Sequence, residues 1–201
     1  VKITDDLFYA KNRMDTQAVE KLVSDNLSGA DDGELYLEYV QSEFFSWDDG
    51  RLKTCTYDTD MGFGLRAVAG ENFGYAHSTE LSEKSIARAG ETVRSVAQGY
   101  GGKMDIAPQK TNHQLYSDDN PLLQIPFEKK VQLLQEIDAY ARAKDSRVKQ
   151  VSVQLAGSWK AVQILRAGGE KTADVRPLVR INVSVYVEDA NGRMEDGYHG
   201  L

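Results

Sequence analysis

Three histidines, a single cysteine and two pairs of adjacent acids are the residues of this chain best equipped to hold a metal or attack a substrate. A zinc hydrolase typically sets two histidines on one helical face with a glutamate between them. Here His77, His113 and His199 stand far apart on predicted strands or loops, and Cys55 is the only thiol. A metal site built from these alone is not expected; they read as surface or turn residues. Asp48-Asp49 and Asp118-Asp119 are neighbours in predicted loops. Adjacent loop acids do not place two carboxylates across a common substrate. No Ser-His-Asp or Cys-His arrangement follows from the spacing.

Arginines offer a different chemistry, because a guanidinium forks onto a carboxylate. Arg66 lies just beyond Gly64 inside an apolar run, where it either clamps a ligand carboxylate or pairs with a structural acid such as Asp58 or Asp60. Arg176 and Arg180 sit at the entry of a long strand, in Asp174-Val-Arg-Pro-Leu-Val-Arg180, and either anchor a partner or peptide or line an exposed strand face. Arg66, Arg176 and Arg180 are the candidate substrate or partner contacts. Gly62-Phe63-Gly64 invites a phosphate-loop reading, but that fingerprint needs a third glycine and a helix start. Leu65, Ala67 and Val68 continue as a strand, so the glycines read as a bulge or a close backbone approach.

The elements that must position these residues are α+β. Asp15 is a predicted N-cap for a helix with Val19, Leu22, Val23 and Leu27 at helical spacing. Predicted strands follow at 34–39, 43–47, 51–57, 62–69 and 73–77, with turns at Asp49-Gly50 and Gly70-Glu71-Asn72. Ser82 caps the next helix, whose buried stripe is Ile86, Ala89, Val93 and Val96. Residues 103–126 carry three prolines and little periodicity, and read as a linker or crossing segment. The clearest helix follows, through Phe127, Val131, Leu134, Ile137 and Ala141. Strands are then expected around 151–155, 159–166 and 178–187, with turns at Gly168-Gly169 and Asn191-Gly192 and a returning strand from Arg193 that is cut off. The expected architecture is an antiparallel β-meander and further hairpins packed with helices, in two subdomains, 1–102 and 127–201, joined by 103–126.

Composition bounds the function. The chain has 201 residues, 41% hydrophobic and 27% charged, in the range of an ordinary globular protein. A net charge of −7 argues against a general nucleic-acid binder, which needs a basic surface. No apolar run reaches the length that spans a bilayer, and residues 1–15 have no signal-peptide pattern. A lone cysteine is in keeping with a reducing cytoplasm. Val1 is not an initiator methionine and the chain stops just after a turn, so a piece of a longer polypeptide is expected.

Several stretches together resemble the TldD/PmbA family, once described as modulators of DNA gyrase and understood as zinc-dependent peptidases. They are Gly33-Glu-Leu-Tyr-Leu37, Asp49-Gly-Arg-Leu-Lys53, Gly62-Phe-Gly-Leu-Arg-Ala-Val68, Gly74-Tyr-Ala76, Arg147-Val-Lys-Gln-Val151 and, most specifically, Asp174 through Val185. The likeness runs from about Asp32 to Gly192 and is nearer to TldD than to its partner TldE (PmbA). It implies the N-terminal, non-catalytic part of a TldD-like subunit that helps enclose a chamber for unfolded or small peptides. It implies zinc in the full-length protein, on a His-Glu-x-x-x-His helix beyond this sequence, and no catalytic or metal residue within it. It also implies a TldE/PmbA-like partner or a homodimer, and a cytoplasmic setting. A TldE-like binding subunit or a gyrase-modulating regulatory protein are the alternatives.

Overall fold

Asp49 and Gly50 both adopt positive φ, 48° and 80°, the backbone that a two-residue hairpin turn requires. In the computed structural model, which describes residues 2–103, 115–167 and 169–201, this turn joins the two longest neighbouring strands of the first half. They are β1 (Asp32–Asp48) and β2 (Arg51–Ala69), and a second turn at Gly70-Glu71 leads into β3 (Asn72–Ser78). The later strands are β4 (Val148–Arg166), β5 (Lys171–Glu188) and β6 (Met194–Gly200). They form one six-stranded antiparallel sheet in the order β3-β2-β1-β4-β5-β6. With its helices the fold is α+β.

The strands are longer than the sequence pattern suggests. The segments predicted at 34–39 and 43–47 are one 17-residue strand, those at 51–57 and 62–69 one 19-residue strand, and those at 151–155 and 159–166 another of 19 residues. No glycine or proline interrupts 40–42 or 58–61, so Ser42, Asp58 and Asp60 stay within strands, and Gly157 lies within β4 at a point where a side chain has no room. A Cβ on Gly157 would stand 2.5 Å from the Leu122 side chain. The returning strand after Asn191-Gly192 is present as β6, registered from Glu188 opposite Met194 to Asn182 opposite Gly200.

The helices are α1 (Lys2–Asp5), continued by a π-turn over Asp6–Ala10, α2 (Thr16–Asn26), α3 (Glu83–Arg94), α4 (Pro121–Gln124) and α5 (Phe127–Lys144). Asp15 caps α2, its carboxylate accepting from the Ala18 N–H at 2.8 Å, and Ser82 caps α3, accepting from the Ser85 N–H at 3.1 Å. The N-terminal segment, which has no clear periodicity in the sequence, buries Leu7, Phe8 and Tyr9. Among the described residues no helix is long and apolar enough to cross a membrane. Residues 104–114, most of the first half of the expected linker and with them His113, lie outside the described residues, as does Gly168.

Two compact units emerge, each drawn from three chain segments. The first comprises 1–40, 60–118 and 160–175, the second 41–59, 119–159 and 176–201. This differs from a division at 103–126, because β1, β2, β4 and β5 each contribute to both units. The first unit's core sets Leu35 and Leu37 of β1 and Phe63, Leu65 and Ala67 of β2 against Val19 and Val23 of α2 and Ile86 and Val93 of α3. Each such side chain contributes roughly 1.5–3 kcal/mol by leaving water. The second unit's core sets Leu134 of α5 against Phe45, Trp47, Val151 and Val153.

Candidate functional site

Arg66 is placed by β2 on the sheet face opposite the first unit's core, because Leu65 and Ala67 point inward at 0% exposure and alternate with it. Its Nε donates to Glu34 Oε1 at 3.0 Å and its Nη2 to Asp32 Oδ2 at 2.9 Å. These partners come from β1, and not from Asp58 or Asp60 of its own strand. The hydrogen bond that Arg66 donates to Glu34, ahead of the cost of burial, holds the guanidinium pKa above its ordinary value. Asp32 is shared: Arg166 of β4 pairs with its other oxygen. Arg66 is thus part of a ladder of charges that ties three strands of the first unit together.

Arg176 and Arg180 belong to β5 in the second unit and both are exposed. Arg180 donates from Nε to Asn182 Oδ1 at 3.0 Å and from Nη2 to the Tyr198 hydroxyl at 3.3 Å, so it lies across the β5–β6 hairpin. The structure therefore brings Arg176 and Arg180 onto one strand and sets Arg66 in the other unit.

The metal-binding types do not converge. Cys55 is exposed on β2, His77 lies on β3 and His199 on β6. Among the described residues no group of three or more His, Cys, Asp or Glu side chains is placed to hold a metal ion. Among the described residues the donors do not fit a zinc site.

Gly62 and Gly64 do form a site of another kind. They lie within β2, so they are strand glycines and not a phosphate loop. Both alternate with the buried Phe63 and Leu65, which puts them on the same open face as Arg66. Gly64 faces His77 across the β2–β3 ladder, and Arg66 faces Tyr75. The Tyr75 ring leans diagonally over Gly64, where a Cβ would stand 2.8 Å from its hydroxyl oxygen. A Cβ on Gly62 would stand 2.7 Å from the Ser78 carbonyl oxygen. Beside them lies a groove of about 360 Å³, walled by Tyr36 and Glu38 of β1, Asp60 and Met61 of β2, and Tyr75 and His77 of β3. Tyr75 and His77 stack with ring centroids 5.6 Å apart. Glu38 accepts from the Tyr36 hydroxyl at 2.7 Å and bridges to Lys160 at 2.9 Å. The sequence signal, two glycines at alternate positions of a strand, marks a close approach, and it is the Ser78 carbonyl and the Tyr75 ring that come close. Which side chains wall the groove depends on the pairing of three strands, and spacing does not reveal that.

Elsewhere, hydrogen bonds fix the loops beside these strands. The Gly70 N–H donates to Asp31 Oδ2 at 2.7 Å and the Tyr100 hydroxyl to the same oxygen at 2.8 Å. These bonds hold the Asp31 carboxyl below its ordinary pKa.

Residues 33–97 match PmbA/TldA metallopeptidase domain 1, and residues 120–201 match the PmbA/TldA metallopeptidase central domain. A metalloprotease TldD homolog of Haemophilus influenzae is 37% identical over 174 residues, covering 85% of this chain and 36% of that protein. One from Buchnera aphidicola (subsp. Acyrthosiphon pisum) is 32% identical over 203 residues, covering 98% of this chain and 41% of that protein. The chain therefore spans about two fifths of the length of these relatives. The crystal structure of TldE from Thermococcus kodakarensis superposes with a TM-score of 0.70 at 14% identity, covering 91% of this chain and 42% of that one. At that identity the likeness is one of fold. Matches to two successive domains of one family, together with sequence identity that runs through both, carry the assignment: the chain belongs to the PmbA/TldD metallopeptidase family.

Proposed function

We propose that this chain is the N-terminal, non-catalytic region of a TldD-like peptidase subunit. In this reading it helps enclose a chamber for unfolded or small peptides and works beside a TldE/PmbA-like subunit in the cytoplasm. The observation that carries it is the 37% identity to a metalloprotease TldD homolog over 85% of the chain. Chemistry would then reside on a part of the polypeptide that this sequence does not include, with zinc bound there. β3 and β6 end the strand order, and an extended peptide can add backbone hydrogen bonds to such an edge.

The test is direct. The 201-residue chain is assayed against a library of fluorogenic unfolded peptides, and its zinc content is measured by elemental analysis. Neither hydrolysis nor stoichiometric zinc is expected; either one at full strength overturns the reading.

The fold likeness to TldE favours a second reading, a partner subunit that binds peptide without cleaving it. The coding sequence beyond Leu201 separates the two. A His-Glu-x-x-x-His motif there favours the peptidase subunit, and its absence favours the TldE-like one. A gyrase-type regulator that binds DNA is disfavoured by the net charge of −7, and a salt-dependent DNA titration checks this.

A further inference from the structure

The groove beside Gly62 and Gly64 joins a shape to a charge. Its volume, about 360 Å³, is within the range of small-ligand sites, roughly 300–1,000 Å³. Glycine weakens a strand interior, and two at alternate positions are tolerated where another group must come close. Here the groups that come close are the Ser78 carbonyl and the Tyr75 ring. The groove beside them is lined by Tyr36 and Tyr75 and by Asp60. Among the described residues no side chain or N–H bonds or pairs with the Asp60 carboxylate. The other acid of the lining, Glu38, is paired with Lys160. The surplus charge at the groove is therefore negative. An aromatic wall beside an exposed carboxylate suits a cation carried on an apolar stem, since ring faces and carboxylate both attract it.

We propose that this groove binds the cationic side chain of an extended peptide, lysine or arginine, with the alkyl stem along the Tyr36 and Tyr75 walls and the charged head at Asp60. The peptide origin of the ligand rests on the function proposed above; the preference for a cation rests on the groove alone.

The experiment is a calorimetric or NMR titration of the 201-residue chain with three probes: N-acetyl-lysine methylamide, its uncharged analogue N-acetyl-norleucine methylamide, and n-butylammonium. The lysine probe is expected to bind at least about fivefold tighter than the norleucine probe, the size of one cation–aromatic and carboxylate contact at a wet site. Asp60→Asn, an exposed change that leaves the core untouched, should bring the lysine probe down to the norleucine level without altering the latter. Tyr75→Ala should weaken both. Equal binding of lysine and norleucine probes, no binding of the lysine probe, or an unchanged lysine affinity in Asp60→Asn overturns the proposal. Binding of n-butylammonium as tight as that of the lysine probe overturns its peptide part while leaving the cation preference standing. The titration involves no hydrolysis, so its failure and the failure of the peptidase reading are seen separately.

Discussion

The two units bury their sheet surfaces by different means. In the first, the polar side chains that leave water are neutral: Thr4, Asn26 and Gln163. Gln163 accepts from the Tyr9 hydroxyl at 2.6 Å and donates to Thr4 and Asp5 at its margin. In the second, they are charged: Lys130 and Asp138, on the same face of α5 as Leu134. Lys130 bridges to Glu43 at 2.6 Å and donates to the Leu122 carbonyl at 2.7 Å. Asp138 accepts from Trp47 Nε1 at 2.8 Å and from Arg142 Nε at 2.7 Å, and Arg142 reaches on to Asp49 in the hairpin turn. The first unit is held by the fit of apolar side chains, the second by charges that must each find a partner. A buried pair adds little net stability over an apolar substitute, but it punishes the loss of either member.

The sharpest way to break this comparison is to remove one charge. Lys130→Met leaves the Glu43 carboxylate buried with its side chain only 9% exposed, and should cost about 3–5 kcal/mol in urea unfolding. Adding Glu43→Leu should restore most of that loss, because the second change removes the stranded charge. A double variant as unstable as the single one would show that packing, and not charge matching, holds α5. In the first unit Leu65→Ala, at a side chain with 0% exposure, should cost about 2–5 kcal/mol through lost transfer energy and a cavity. No single polar change elsewhere in that core should rescue it. The contrast lies in the presence or absence of rescue more than in the size of the first loss.

How much of this was legible in the sequence follows the same divide. The first unit's two helix caps, the stripe of α3 and the turn into β3 obey local rules, and Asp15, Ser82 and Gly70 announce them one by one, as Asp49-Gly50 announces a turn of the second unit. Strand continuity was harder to see. Residues 58–61 are polar or exposed and break the alternation without supplying a turn, so one 19-residue strand reads as two. The helix α5 was found from Val131, Leu134 and Ile137, yet its most buried residues include Lys130 and Asp138. A helical pattern marks charged positions as wet, and the partners supplied by β1, α4 and α5 itself let them be dry. Arg66 stands out in the sequence as a charge in an apolar strand, but its partners lie 32 and 34 residues away and not at Asp58 or Asp60. The close approach was present as two glycines, while the groove's aromatic walls needed the register of three strands.

The smallest expected effect compares two exposed acids, one in each unit. Asp31 takes its hydrogen bonds from the Gly70 and Lys103 backbone and the Tyr100 hydroxyl, and among the described residues no cation pairs with it, whereas Asp145, at the end of α5, is held by Arg147. Side-chain and backbone hydrogen bonds from Arg147 lower the Asp145 pKa to about 2, against an ordinary aspartate value of about 3.9. A carboxyl whose pKa is lower in the folded chain stabilises it above the unfolded value, and the gain is lost as pH falls through the folded one. The Asp145 contribution is thus complete above about pH 4 and disappears toward pH 2. In Arg147→Ala this part of the acid limb should flatten, and the Asp145 carboxyl carbon should titrate higher by NMR, toward the ordinary value but below it, because the backbone N–H of residue 147 still donates. Tyr100→Phe should move Asp31 in the same direction through the loss of one neutral donor, and by less. Because an ion pair is screened by salt and a hydroxyl donor is not, adding 1 M NaCl should raise the Asp145 midpoint and leave that of Asp31 nearly unmoved. Equal salt responses would mean that the second unit's turn is held by hydrogen-bond geometry alone, as the first unit's is, and that the difference in charge between the two stops at their cores.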